Sequence, residues 1–142
     1  MIAVGNDHAA LSLKKIILGY LDARGIAYRD FGTNGTASVD YPDFAAKVCK
    51  SIIAGECDGG VLICGTGMGM AMAANKYSGI RAAPCGDAYS ARMTRAHNDA
   101  NVLCLGERVI GAGLAIDVLE VFLSTPFEGG RHSIRVKKID GI

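Results

Sequence analysis

The chain has 142 residues, a formal net charge of +1 and 50% hydrophobic residues, and 19 of its residues are glycine. This length and composition predict one compact domain and exclude a disordered or collagen-like chain. The balanced charge provides no general attraction to nucleic acid or to an anionic membrane, so we expect neither as a partner.

The cysteines and the first residues of the chain bear on its location. The five cysteines are odd in number and include no Cys-x-x-Cys pair and no neighbouring His-x-x-x-His, which predicts reduced thiols in the cytoplasm and no metal site. Charge appears by residue 7 without a preceding basic segment, so we expect no signal peptide. No apolar run approaches the roughly 20 residues of a transmembrane helix.

Short runs rich in Val, Ile and Leu alternate with longer stretches whose apolar residues recur every three or four positions, which is typical of alternating strands and helices. The predicted strands cover residues 2–6, 26–31, 60–64, 80–84 and 102–105, and the predicted helices cover residues 9–24, 42–55, 67–77, 87–97, 111–123 and 131 to the end. This order predicts an α/β, Rossmann-like, doubly wound three-layer fold with a five-stranded parallel sheet in one domain, residues 1–142. Ligands in such folds bind beyond the carboxyl ends of the strands.

Three polar residues, Asn6, Asp7 and His8, follow the first predicted strand. One interpretation is that Asn6 or Asp7 caps the helix that follows. The other is that Asp7 and His8 form part of a site at this edge of the sheet, where a histidine binds phosphate or moves a proton. The sequence leaves both interpretations open.

A glycine-rich segment follows the third predicted strand. It contains the alternating glycines Gly65, Gly67 and Gly69, with Cys64 before them and Thr66 among them. Glycine permits positive φ and close approach of a ligand, and the helix that follows directs unpaired N–H groups outward, which favours an anion. The segment matches neither GxGxxG nor GxxxxGK[ST]. It is therefore either a tight strand-to-helix turn or a site for a phosphate or a reaction oxyanion.

Cys64 differs from the other four cysteines in its setting. A single cysteine is usually a small buried hydrophobe. Beside a helix N-terminus, however, the partial positive charge favours the thiolate, which can act as a nucleophile or a general base. The cysteines at positions 49, 57, 85 and 104 lie in no comparable setting, and we interpret them as structural.

His97 stands at the end of the fourth predicted helix, directly before Asn98 and Asp99. A histidine at this position either contacts the carbonyl groups that end the helix or acts as a catalytic acid or base. Its amide and carboxylate neighbours make a site more plausible, but only geometry can decide between the two roles.

Arg131 and Arg135 stand one helical turn apart near the C-terminus, with His132 beside them and two glycines before them. The planar, forked guanidinium group suits a phosphate, so these arginines are phosphate-binding candidates. The alternative is a solvated basic helix. Arg108, after the fifth strand, is a further candidate for the phosphate.

The chain closely resembles the RpiB/LacAB sugar-phosphate isomerase family over essentially its whole length. Six segments in order carry the resemblance: NDHA at 6–9, VDYPDFA at 39–45, LICGTGMGMAMAANK at 62–76, GIRAA at 79–83, RAHNDANVLCLGERV at 95–109 and EGGRHSIRV at 128–136. The resemblance implies a metal-independent, cofactor-free interconversion of ribose 5-phosphate and ribulose 5-phosphate through a cis-enediolate. It also implies a homodimer whose active sites draw residues from both subunits, and it leaves open whether dimers pair into tetramers.

The resemblance also implies roles for individual residues. Cys64 would be the base that moves a proton between C1 and C2, and Thr66 would help move protons between the two oxygens. His97 and Asp7 would open the furanose ring. Some members of the family use a glutamate at the position of Met70, which places this chain in the cysteine branch. The implied binding residues are Gly65, Gly67, Met68 and Gly69 for the enediolate, His8, Arg108, Arg131 and Arg135 for the phosphate, and Tyr41, Asn98 and His132 for the sugar.

Two alternatives stay open at this point. The same scaffold in a related isomerase would act on a phosphorylated hexose, such as galactose 6-phosphate or allose 6-phosphate. A non-catalytic module that binds a nucleotide or sugar phosphate would keep the glycine turn and the arginines, but it would not need Cys64.

Overall fold

The computed structural model describes residues 1–142 as one five-stranded sheet covered by helices. The strands are β1 (Ile2–Asn6), β2 (Tyr28–Asp30), β3 (Gly59–Cys64), β4 (Ala82–Pro84) and β5 (Val102–Gly106). The helices are α1 (Leu11–Ala23), α2 (Tyr41–Ile53), α3 (Met68–Ala74), α4 (Ala88–Asn98), α5 (Ala112–Ser124) and α6 (Arg131–Asp140), with a short 3-10 helix (His8–Ala10) before α1.

The sheet has the order β2-β1-β3-β5-β4, and every neighbouring pair of strands is parallel. The chain leaves β1 toward one side of the sheet to form β2 and then returns past β1 to form β3. This reversal places α1 and α2 on opposite faces and opens a crevice beyond the carboxyl ends of β1 and β3. The predicted α/β fold with a five-stranded parallel sheet is confirmed.

Two apolar cores fill the space between the sheet and its helices. One core joins the sheet to α1, α4 and α5, and the other joins it to α2 and α3. Strands β3 and β5 are buried along their whole length, as expected for central strands covered on both faces. None of the helices has the length and hydropathy needed to cross a lipid bilayer.

Several boundaries differ from the predicted ones by a few residues. The first helix begins as a 3-10 turn, because Asp7 Oδ1 accepts the N–H of Ala9 at 2.9 Å. The edge strands β2 and β4 have only three residues each, since each pairs with a single neighbour. Helix α3 ends before Asn75, whose side-chain amide exchanges two hydrogen bonds with the backbone of Ala82. The last helix ends at Asp140.

Candidate active site

The glycine-rich segment forms a tight turn between β3 and α3. Gly67 has a φ of 82°, the left-handed conformation that the sequence predicted for a glycine here. Cys64 ends β3, and its side chain is buried. Its Sγ accepts the N–H of Gly67 at 3.2 Å, and Thr66 Oγ1 accepts the N–H of Met68 at 3.3 Å. The turn therefore places a backbone donor on the sulfur, which stabilises negative charge there.

A second turn, after β5, packs against the first. The N–H groups of Glu107 and Arg108 donate to the carbonyl oxygens of Cys64 and Gly65 at 2.9 and 3.0 Å. The side chain of Arg108 crosses the face of Gly65, where a Cβ atom would lie 3.6 Å from Nη1. The two turns thus form one unit that holds a thiol and a guanidinium group at the same edge of the sheet.

Gly106 is what allows this close packing. A Cβ atom on Gly106 would lie 2.5 Å from the Cα of Thr66, a distance that real Cβ atoms do not tolerate. Even a methyl side chain at position 106 would therefore push the two turns apart.

Gly106→Ala is expected to lower the free energy of unfolding by about 1–3 kcal/mol, because the methyl group overpacks against the backbone of Thr66. Urea unfolding measures this change. The matched control is Gly19→Ala, in the middle of α1, where the methyl group meets no atom within 4 Å. That variant is expected to gain about 0.5–1 kcal/mol from helix propensity. Equal stabilities for the two variants would contradict the prediction.

Tyr41 covers the far end of the glycine turn. Its ring lies against the backbone of Gly69, where a Cβ atom would be 2.7 Å from the ring carbon Cζ. Tyr41 begins α2 and stays 40% exposed, so its ring borders the crevice as well as the turn. The glycine at position 69 is needed for this contact.

The polar residues after β1 lie beside the same crevice. The N–H of Asp7 donates to the carbonyl oxygen of Ile63, next to Cys64, at 3.2 Å. Asp7 is buried and caps the 3-10 helix through Oδ1, while Oδ2 has no hydrogen-bond partner in the chain. His8 accepts the N–H of Val39 at Nδ1 over 3.1 Å, and its Nε2 makes no hydrogen bond within the chain. Capping is confirmed for Asp7, and it leaves one carboxylate oxygen available for chemistry.

The remaining predicted residues form a second cluster around His97. The rings of His97 and His132 stack with centroids 4.2 Å apart and planes 10° apart. Glu128 Oε2 lies 3.8 Å from Nε2 of His97 and 3.5 Å from Nε2 of His132. Arg131 and Arg135 are exposed on the same helix, and Nη1 of Arg135 donates to the carbonyl oxygen of Arg131.

The two clusters lie at opposite ends of the sheet. Helix α4 runs antiparallel to the strands, so His97 and Asn98 in its last turn stand near the amino end of β5, whereas Cys64 pairs with Gly106 at the carboxyl end. The four residue steps from Val102 to Gly106 span about 13 Å. Within one chain, the structure brings Asp7, His8, Tyr41, Cys64, Thr66 and Arg108 to one edge and His97, Asn98, Arg131, His132 and Arg135 to the other.

Burial raises the thiol pKa of three other cysteines and makes them unreactive. Loss of solvent raises the pKa of Cys49 and of Cys85 to about 11, with the Asp87 carboxylate as a smaller cause at Cys85. Loss of solvent also raises the pKa of Cys104 well above its usual value. These groups stay protonated near neutral pH. All five cysteines are free.

The sequence did not predict two residues that lie at these clusters. Lys14 is buried on α1, and its Nζ donates to Asp30 Oδ2 and to the carbonyl oxygen of Thr33, which ties the loop after β2 to the helix. A lysine in an amphipathic helix normally indicates a solvated position, so no sequence signal marks it. Glu128 is exposed and adjoins a glycine pair, and only its approach to the two imidazoles reveals it.

Comparison with known proteins gives one consistent result. The sequence model of the family described as Ribose/Galactose Isomerase matches residues 2–139. A solved structure of Clostridium thermocellum ribose-5-phosphate isomerase B superposes with a TM-score of 0.97 at 54% identity, covering 99% of this chain and 95% of that one. Escherichia coli ribose-5-phosphate isomerase B is 47% identical over 99% of this chain and 95% of its own. D-erythrulose-4-phosphate isomerase of Pectobacterium atrosepticum is 44% identical over 97% of this chain and 91% of its own.

Proposed function

Because this chain belongs to the ribose/galactose isomerase family, we propose that it interconverts D-ribose 5-phosphate and D-ribulose 5-phosphate through a cis-enediolate. The single observation that carries this proposal is the turn after β3, where a buried thiol and several backbone N–H groups meet at the crevice. Moving a proton between two carbons beside a carbonyl requires a base and a site for the oxyanion close together. This turn supplies both from one short segment.

The proton transfer follows from that geometry. The Cys64 thiolate removes the proton from C2 of the open-chain aldose, and the electrons of the broken C–H bond form the enediolate. The N–H groups of Gly65 and Gly69 stabilise the negative oxygen, and those of Gly67 and Met68 join them when they turn away from Cys64 Sγ and Thr66 Oγ1 as the sulfur gains its proton. Thr66 moves a proton between O1 and O2, and the Cys64 thiol returns its proton to C1, which leaves the ketose.

Ring opening precedes this step, since both sugars enter the reaction in their open-chain forms. We assign it to Asp7, through its free carboxylate oxygen, and to His97, whose imidazole makes no hydrogen bond within the chain. One group removes the proton of the anomeric hydroxyl while the other protonates the ring oxygen. The remaining binding roles that we propose are His8, Arg108, Arg131 and Arg135 for the phosphate and Tyr41, Asn98 and His132 for the sugar.

These roles require two copies of the chain. His97, Arg131 and Arg135 cannot reach Cys64 within one protomer, because the sheet separates the two clusters. We therefore propose a homodimer in which each active site takes the Cys64 turn from one subunit and the His97 cluster from the other. Met68 and Met72 on α3 are 51% and 71% exposed beside the turn, and Ile134, between the two arginines, is 62% exposed. Packing α6 of one subunit over α3 of its partner would bury these side chains.

A substrate panel tests the proposed reaction. We expect ribose 5-phosphate to be turned over at the highest kcat/KM, with galactose 6-phosphate, allose 6-phosphate and D-erythrulose 4-phosphate as the competing candidates. The tetrulose phosphate is included because one relative is named for it. Turnover is expected to persist in EDTA, since every step uses side chains and backbone groups. Faster turnover of a hexose or tetrulose phosphate would reassign the substrate.

Arg131→Ala and Arg135→Ala are expected to raise KM for ribose 5-phosphate by about 10-fold or more each, since a charge-assisted hydrogen bond to phosphate contributes about 1.5–3 kcal/mol. The effect on kcat should be smaller, because the phosphate does not react. Lys138→Ala, on the same helix, is the matched control and should change neither constant. Steady-state kinetics over a range of substrate concentrations measures both. An unchanged KM in the two arginine variants would place the phosphate elsewhere.

We also propose that the enzyme acts in the cytoplasm. Five free cysteines, all buried, are consistent with a reducing compartment.

A further inference from the structure

Three metal-binding side chains converge where α4 ends and α6 begins. His97, Glu128 and His132 each offer one ligand atom, and the three atoms lie within 4.8 Å of one another. Neither imidazole donates or accepts a hydrogen bond within the chain, so both have a ring nitrogen available. The backbone fixes the arrangement, because the N–H of Glu128 donates to the carbonyl oxygen of Ala96 at 3.0 Å.

The spacing suits an ion better than direct contact. Glu128 Oε2 lies 3.5 and 3.8 Å from the two Nε2 atoms, beyond the usual hydrogen-bond distance of about 2.7–3.2 Å. Two ligand atoms of a tetrahedral zinc ion, each bonded at about 2.0–2.1 Å, lie about 3.4 Å apart. The distance from Glu128 Oε2 to each Nε2 is therefore close to the distance between two ligand atoms in a tetrahedral zinc site.

One local movement is needed for binding. A metal ion lies in the plane of each imidazole that coordinates it, so the nearly parallel rings of His97 and His132 must tilt toward each other. The torsion that turns a histidine ring has a broad energy minimum. His97 and Glu128 are 38% and 58% exposed, which leaves room for this rotation and for a water molecule as the fourth ligand.

The chemistry of the three groups favours a borderline cation. Two imidazoles and one carboxylate are typical ligands of Zn²⁺. The Glu128 carboxylate offsets part of the positive charge of Arg131 and Arg135.

We propose that His97, Glu128 and His132 form a binding site for one Zn²⁺ ion per chain, and that occupancy of this site inhibits the enzyme. The inhibitory part rests on the proposed function. An Nε2 atom of His97 that is bonded to the ion has no lone pair or proton for the furanose ring, so ring opening stops. Removal of the ion restores the free imidazole, which makes the inhibition reversible.

Direct binding tests the site independently of activity. Zn²⁺ is titrated by calorimetry into wild-type protein that has been treated with a chelator, and Co²⁺ binding is followed by visible absorption. We expect one ion per chain, and a dissociation constant that increases about 10-fold or more in Glu128→Gln and in His132→Ala. Glu120→Gln, which alters an exposed carboxylate on α5, is the matched control and should bind normally. Unchanged affinity in Glu128→Gln, or a thiolate-to-cobalt band that Cys64→Ala removes, would overturn the site.

Activity measurements test the inhibitory part. Zn²⁺ is expected to inhibit the wild-type enzyme at concentrations that fill the site, and EDTA should restore its full rate. The sensitivity of Glu128→Gln to Zn²⁺, measured relative to that variant's own zinc-free turnover, should fall at least 10-fold, in parallel with its weaker binding. Stoichiometric binding through this cluster without inhibition would retain the metal site and overturn the link to His97 as a ring-opening group.

Discussion

Cys64→Ala is expected to lower kcat by about 10²–10⁴-fold, the usual contribution of a positioned general base. The reason is that no other side chain of the turn after β3 can accept the C2 proton, since Met70 has no basic atom and Thr66 is a weak base. KM should change little, because the phosphate and the sugar hydroxyls keep their partners. Steady-state kinetics with ribose 5-phosphate gives both constants.

The controls for this variant separate chemistry from folding. Cys49→Ala also removes a buried thiol. Burial raises the pKa of that thiol to about 11, so we assign it no role in the reaction, and the variant should keep wild-type turnover. Cys64→Ser keeps nearly the same shape and the hydrogen bond from Gly67, but an alcohol is a far weaker acid than a thiol and does not supply the anion. It should therefore be as inactive as the alanine variant. Full turnover in Cys64→Ala would remove Cys64 from its role as the base.

Mixing two inactive variants is expected to restore activity. In a dimer with shared sites, a Cys64→Ala chain supplies His97 and an His97→Ala chain supplies Cys64, so each mixed dimer contains one intact site and one site that lacks both groups. Random exchange makes half of the dimers mixed, and one of two sites in each is intact, which predicts about a quarter of wild-type activity. Each variant alone should be nearly inactive.

The experiment requires dissociation and reassociation of the two variants, for example in mild denaturant followed by dilution, with wild-type protein taken through the same steps. A pair of variants from the same cluster, Cys64→Ala with Asp7→Ala, is the matched control. Both residues lie on the same edge of one chain, so each mixed dimer has one site without Cys64 and the other without Asp7, and no activity should return. Recovery in that control, or none in the first mixture, would contradict a site shared in this way.

The proposed dimer also explains why one protomer exposes apolar side chains next to polar ones. Met68 and Met72 border the thiol turn, and Ile134 stands between two arginines that we assign to the phosphate. In one chain these side chains face water, whereas in a shared site they would surround the substrate and exclude water from it. Low water content strengthens the interaction between the enediolate and the backbone N–H groups of the turn.

The sequence was most informative where local chemistry decides the structure. The apolar periodicity predicted all five strands and all six α-helices, because burial of a sheet face or a helix stripe depends on nearby residues. The alternating glycines predicted a turn with a left-handed residue, and Gly67 adopts that conformation. Asp7 was one of two candidate caps, and it caps the 3-10 helix. Boundaries were less exact at β2 and β4, since strand length at a sheet edge depends on a single neighbour.

The sequence by itself thus determined the fold class, the position of the Cys64 turn at a strand end, and the candidates for the second cluster. Only the tertiary structure decided which of these lie together. The direction of α4 relative to the sheet places His97 far from Cys64, and the course of the chain after α5 brings Glu128 and His132 to His97. Periodicity and motifs describe neighbours along the chain, whereas these contacts join residues 31 and 35 positions apart. The separation of the two clusters arises from the direction in which α4 runs along the sheet.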